Sequence, residues 1–171
     1  MTPPETNCGR TAGEAKNDQT TQLCDRRVDA EIANASACED PAVTADPLAD
    51  ARFILDTLQA TVDARDADAL VSLFDDPAVL IGTDGDGRNP DALRRYLTAV
   101  ATQPESLRWE WREVIPFHQD AGTLGFAAFG EIVVFDRSNE RRAPMRMTIF
   151  AVRTPDGWRL RQFHGSIPSG F

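Results

Sequence analysis

No aromatic residue occurs before Phe53 in this 171-residue chain; all nine Phe, the three Trp and the single Tyr lie from there onward. Residues 1–46 offer only Leu23, Val28, Ile32 and Val43 as larger aliphatics. That is too little apolar surface to offset ordering entropy, so the segment is expected to be a disordered or loosely ordered acidic tail, with at most a transient helix around Leu23–Ala37. Cysteine is scarce: Cys8, Cys24 and Cys38 are odd in number, confined to the tail and without Cys-x-x-Cys spacing. This excludes a disulfide framework or thiolate metal site as the organising feature, and reduced thiols in a cytoplasm are the expectation. Lysine is nearly absent, with Lys16 alone. No apolar run approaches the ~20 residues of a membrane helix, and the start Met-Thr-Pro-Pro-Glu-Thr-Asn has neither the basic nor the apolar region of a signal peptide. Without secretion, the acceptor sequence Asn34-Ala-Ser36 carries no glycosylation expectation.

Basic runs are missing as well. The formal charge is −9; the tail, with nine acidic and four basic side chains, holds −5 of it, which leaves −4 for residues 47–171. An acidic domain without a basic stripe argues against nucleic acid or an anionic membrane as partner.

What is present is a folded domain over residues 47–171. Asp46-Pro47 reads as an N-cap followed by Pro at the first helical position, and Leu48, Ala51, Leu55, Leu58 and Val62 recur at helical spacing. Asp66 caps a second, short helix carrying Leu70, Leu73 and Phe74, which Asp75-Asp-Pro77 is expected to stop. Ala78–Gly82 reads as a short buried strand, Thr83–Asn89 as a Gly/Asp loop, and Asn89-Pro90 as the start of a third helix with Leu93, Tyr96, Leu97 and Val100 on one side. Four strands follow. Leu107–Phe117 alternates; Thr123–Phe135 is apolar on both faces, as for a strand covered on both sides; and Asp136–Arg141 reads as a hairpin loop. The last two strands, Arg142–Arg153 and one beginning at Trp158, are joined by the turn Thr154-Pro-Asp-Gly157. Helices first and an antiparallel meander after make an α+β domain.

Strict alternation sorts the side chains. In the last strand it puts Trp158, Leu160, Gln162, His164 and Ser166 on one face, and Arg159, Arg161, Phe163 and Ile167 on the other. In the strand from Leu107 it puts Trp109, Trp111, Glu113, Ile115 and Phe117 together. A face that begins apolar and ends in an amide, an imidazole and a hydroxyl reads as the floor of a pocket.

The order helix, short helix, strand, helix, four long strands, with Gly82-Thr-Asp84 and the closing Trp158-Arg-Leu-Arg-Gln-Phe-His164-Gly-Ser166-Ile-Pro168, resembles the nuclear-transport-factor-2-like (NTF2-like) superfamily. Within it the similarity is to SnoaL-like proteins of an uncharacterised bacterial branch, over about residues 47–168. The resemblance implies a cone: a strongly bent antiparallel or mixed β-sheet covered on its concave face by about three N-terminal helices, with a cavity open at a mouth. It also implies that Asp84 stands at the cavity rim. Such folds host enzymes and non-enzymes alike.

Three residues are candidates for chemistry. His164 has an ordinary pKa near ~6.5, suited to proton transfer. Glu113, if desolvated among aromatics, would serve as a general acid or base. Asp84 would orient His164, the alternative being a turn-capping role. Trp109, Trp111, Phe53, Tyr96, Met147, Gln162 and Ser166 are the expected ligand contacts. No metal or cofactor is expected: Asp84-x-Asp86 lacks the further ligands of a calcium loop, and the glycines do not match a dinucleotide fingerprint. The catalytic set of ketosteroid isomerases does not transfer, since Tyr96, the one Tyr, lies on a helix. The outer sheet face, with Phe150, Val152 and Phe163 among arginines, is the expected contact of a homodimer. The expected function is binding of a small, largely apolar molecule. The alternatives are cofactor-independent acid–base chemistry of the cyclase, isomerase or dehydratase type, or a non-catalytic dimerisation module.

Overall fold

The structure, a computed structural model, describes residues 46–137 and 139–168. The expectations for the tail, its cysteines and the helix around Leu23–Ala37 fall on residues 1–45 and lie outside the described residues.

Helix α1 (Pro47–Asp63) starts where its cap dictates: the Asp46 carboxylate accepts from the amides of Leu48 and Ala49. It buries Ala51, Ile54, Leu55, Leu58 and Val62. Each fully buried large aliphatic contributes about 1.5–3 kcal/mol, so this stripe holds the helix on the sheet. Helix α2 (Ala67–Ser72) is capped by Asp66 and buries Leu70; helix α3 (Pro90–Thr102) is capped by Asn89 and buries Leu93, Leu97 and Ala101.

The strands are β1 (Phe74–Ile81), β2 (Asp86–Gly87), β3 (Ser106–Gln119), β4 (Thr123–Asp136), β5 (Asn139–Thr154) and β6 (Gly157–Ser166). They form one curled, unclosed mixed sheet in the order β2-β1-β6-β5-β4-β3, antiparallel except for the β1–β6 pair. The α+β expectation holds in full, with local differences. Phe74–Pro77 belongs to β1 rather than to the end and stop of a helix. The Thr83–Asn89 loop contains the two-residue β2, which folds back on Leu80 and Ile81. The β4–β5 pairing runs out to Asp136 and Asn139, so most of the expected hairpin loop is strand.

Strand β3 lies at the sheet's edge, where unpaired backbone groups invite wrong partners. Gln59 of α1 covers part of that edge, accepting from the Trp109 amide at 2.8 Å and donating to the Leu107 carbonyl at 3.1 Å.

Two bulges overturn the alternation predicted for the chemistry-bearing strands. In β6, Ala151 opposes Leu160 but Phe150 opposes Gln162, which leaves Arg161 without a partner in the ladder; its guanidinium instead reaches the Asp75 carboxylate on β1. One extra residue reverses parity. Trp158 and Leu160 therefore face the helices as expected, but so do Phe163 and Gly165, while Gln162, His164 and Ser166 turn to the outer face. In β3 the register shifts between Trp111 and Glu113, so Glu113 and Ile115 lie on the outer face opposite Phe129 and Ala127. Both bulges bring apolar residues three apart to the same side: Leu160 and Phe163, Trp111 and Val114.

Candidate functional site

The concave face of the sheet and the three helices enclose a cavity of about 560 Å³. The helices contribute Leu58 and Val62, Leu70, and Tyr96, Leu97 and Val100; the sheet contributes Phe74, Leu80, Leu107, Trp109, Ile132, Val134, Met145 and Phe163. Polar side chains gather at two places on the rim. Gln103 and Glu105 precede β3, and Arg141 stands in the inward-facing row Leu107–Val134–Arg141. Thr83 and Asp84 belong to the hairpin between β1 and β2, closed by a 2.8 Å bond from the Gly82 amide to the Gly85 carbonyl, with Tyr96 of α3 standing over it.

Of the three residues expected to carry chemistry, only Asp84 lines the cavity. His164 is half-buried on the opposite face, between Thr148 and Ile81. It is therefore not oriented by Asp84. Glu113 is exposed on that same outer face. Among the expected ligand contacts, Trp109 and Tyr96 belong to the wall. Trp111 stacks on Trp109 with centroids 6.4 Å apart but stays outside the lining, and Met147 is buried in the core. Phe53 is 61% exposed on α1 and lies outside the cavity, bordering two smaller depressions with Trp158. Gln162 and Ser166 face outward, and the Ser166 hydroxyl accepts from Arg146 Nε at 3.0 Å. Phe163, expected in the outer interface, is part of the cavity wall. Phe150 remains on the outer face, stacked by His118 at 5.6 Å, and Val152 is buried beside Thr123 and Arg159.

Strict alternation missed Phe163, Gly165 and Ile167, which follow the β6 bulge, as well as Thr83 and Arg141. The signal was there for Phe163: Leu160 and Phe163, both large and apolar, cannot share a face without an extra residue between them.

Tyr96 is a perturbed group on the wall. Burial raises its phenol pKa above the ordinary value, and the negative charge of Asp84 raises it further; hydrogen bonding with Thr83 opposes both. The Thr83 hydroxyl also donates to Asp84 at 3.3 Å. Arg142 also borders the cavity, but its guanidinium binds Glu110 and Glu131 on the outer face and Glu140 beside them. Those carboxylates raise its pKa. Glu110 is correspondingly held below its ordinary value, first by its hydrogen bond to Arg142. Among the described residues no group of three or more His, Cys, Asp or Glu side chains is arranged to hold a metal, and no helix is long and apolar enough to cross a membrane.

The same architecture recurs in solved structures. A dehydratase candidate of the NTF2-like family from Streptomyces avermitilis is 16% identical, with a TM-score of 0.63, covering 73% of this chain and 100% of that one. An NTF2-like protein of unknown function from Pseudomonas putida KT2440 is 14% identical, with a TM-score of 0.60 and coverages of 74% and 91%. An NTF2-like protein with a cystatin-like fold from Novosphingobium aromaticivorans is 14% identical, with a TM-score of 0.57 and coverages of 73% and 84%. At these identities the likeness is one of fold. No curated protein matches the chain. The family profile of the SnoaL-like domain, however, matches residues 52–170, from the first turns of α1 past the end of β6, and by that match the chain belongs to the SnoaL-like family.

Proposed function

We propose that the protein binds a small, largely apolar molecule in the cavity between its helices and its sheet. The observation that carries this reading is the cavity itself: about 560 Å³, walled mainly by Leu, Val, Ile, Phe and Met side chains, with Thr83, Asp84, Tyr96, Gln103, Glu105 and Arg141 among the lining. A volume in the range of small-molecule sites, an apolar wall and a few convergent polar groups are what such sites share. A filled core would leave no such space, which weighs against a pure dimerisation module. Native mass spectrometry of the purified protein tests the reading: a bound species of a few hundred daltons, released on denaturation, is expected. Failure of every apolar probe of that size to bind the emptied protein would reject it.

A second reading, acid–base chemistry at the same cavity, draws support from Asp84 and Tyr96 alone, because His164 and Glu113 are on the other face. The Streptomyces relative named as a dehydratase candidate keeps this class open. The partner of the outer face, in this proposal, is a second copy of the chain. Val79, Ile81, Ile115 and Phe129 stand there 41–46% exposed, around Ala127, Thr148 and Phe150. A contiguous exposed apolar patch on a small domain marks an interaction surface.

A further inference from the structure

Where β3, β4 and β5 run side by side, neighbouring arginines meet opposite surroundings. Arg108, Arg112 and Arg142 are neutralised on the outer face: Arg108 binds Glu110, Arg112 binds Glu131, and Arg142 binds Glu110, Glu131 and Glu140. Arg141, one residue earlier on β5 than Arg142, turns the other way. It closes the inward-facing row Leu107–Val134–Arg141, whose first two members are apolar wall, and it is itself part of the cavity lining. Among the described residues its guanidinium enters no ion pair and donates no hydrogen bond, in contrast to that of Arg142. Along the same face of β5 the lining continues as Ala143 and Met145, so this guanidinium stands at the end of an apolar track.

Two carboxylates also line the cavity. Asp84 belongs to the other polar place on the rim, at the β1–β2 hairpin. Glu105 shares the stretch with Arg141; its backbone is held by Arg65, which donates to the carbonyls of Gln103, Pro104 and Glu105, and its carboxylate makes no ion pair with Arg141. The donors of Arg141 are therefore left for a ligand. A guanidinium is always charged, weakly hydrated, and presents a planar fork that matches a carboxylate. Arg141 is exposed, so an anionic head bound there keeps part of its water while the body of the molecule leaves water for the apolar wall.

Resting on the cavity-binding reading, we propose that Arg141 is the charge-recognition residue of the cavity and that the ligand is an amphipathic monocarboxylate. Its apolar body lies against Ala143, Met145 and the wall behind them, and its carboxylate meets the Arg141 guanidinium at the rim. No covalent step is implied; Arg141 is a specificity-determining binding residue.

Three probes with one apolar body and different heads test this by equilibrium dialysis on the full chain: 2-naphthylacetate, the neutral 2-naphthylacetamide and the cationic 2-(2-naphthyl)ethylammonium. In the wild-type protein the carboxylate should bind about fivefold more tightly than the amide, the factor expected of a charge pair at a solvent-facing rim, and the ammonium should be weakest. Added salt should weaken the carboxylate and leave the amide unchanged. Arg141→Gln should erase the carboxylate's advantage without changing the amide, which also verifies that the cavity survives the substitution. Arg141→Lys, which keeps the charge but not the fork, should retain part of it. Glu105→Gln, which removes a like charge from the same stretch of rim, should strengthen the carboxylate severalfold. Equal binding of carboxylate and amide to the wild type, or a preference for the ammonium, overturns the inference while the cavity reading stands. An advantage that persists in Arg141→Gln overturns it too. If none of the three probes binds, both fall.

Discussion

The Tyr96 hydroxyl occupies the space that a side chain at Gly82 would fill: an added Cβ would stand 1.9 Å from the phenol oxygen and 2.4 Å from Cζ. The backbone of Gly82 is not in the left-handed region, so alanine is excluded by the ring alone. Gly82→Ala should therefore swing the ring away from the hairpin and cost about 1–3 kcal/mol, as overpacking does. The sharper readout is spectroscopic. Absorbance of the sole tyrosine should show its ionisation falling back toward the ordinary value as burial and the charge of Asp84 are lost. An unchanged titration would mean that the ring had not been held by Gly82.

Stability should fall on the alkaline side for the same reason. Burial, then Asp84, raises the folded pKa of Tyr96 above the unfolded value. The folded state thus keeps a proton that the unfolded chain has released. The contribution is fully present below about pH 10, the unfolded value, and is lost as pH rises through the folded one. Tyr96→Phe should flatten this limb in urea denaturation between neutral and strongly alkaline pH. Glu110 has the opposite sign: Arg142 lowers its pKa, so its contribution is lost as pH falls, and Arg142→Gln should shift the acid limb without touching the alkaline one.

Gln59 supports a prediction about the sheet's edge. Its amide satisfies one donor and one acceptor of β3, at Trp109 and Leu107, from the middle of α1. Gln59→Leu keeps the helix propensity and the bulk but leaves two part-buried backbone groups without that partner. A loss of about 1–3 kcal/mol is expected, measured as a lower urea midpoint at unchanged slope. A loss of only a few tenths would show that water takes over both groups.

Helix starts, the four long strands and the overall architecture were legible in the sequence because they rest on local signals; the two-residue β2 was not. Asp46, Asp66 and Asn89 are caps whose side chains bond the next turn, whereas the apolar stripe overran α2, which ends at Ser72 before Phe74 enters β1. The site was legible only in part. Trp109 and Tyr96 were found on the wall because nothing intervenes between their local periodicity and the cavity. His164, Ser166, Gln162 and Glu113 went to the wrong face because each lies beyond a bulge, and a single inserted residue inverts every assignment after it. The bulges answer to burial of distant partners: Phe163 sits beside Leu80 of β1, and Arg161 finds Asp75 on the same strand, some 80 residues earlier in the chain. No window of local sequence contains that pairing.

The inverted register leads to a prediction for the outer face. Three rows now cross it: Glu113–Phe129–Arg146–Ser166, Ile115–Ala127–Thr148–His164–Ile81, and Gly125–Phe150–Gln162–Val79. His164 sits in the middle row, remote from the cavity wall, so His164→Ala should leave the affinity for cavity probes unchanged. The apolar side chains of these rows should instead be covered by a second copy, with the same patch used on both subunits. Phe129→Glu and Ile81→Glu each place a carboxylate where the partner surface would have to desolvate it, and should shift a wild-type dimer to monomer in sedimentation velocity at micromolar concentration. Phe53→Glu, at a more exposed Phe on α1, should leave the dimer intact and serves as the control. A monomeric wild type, or dimers that survive both outer-face substitutions, would remove the assignment of this face to self-association.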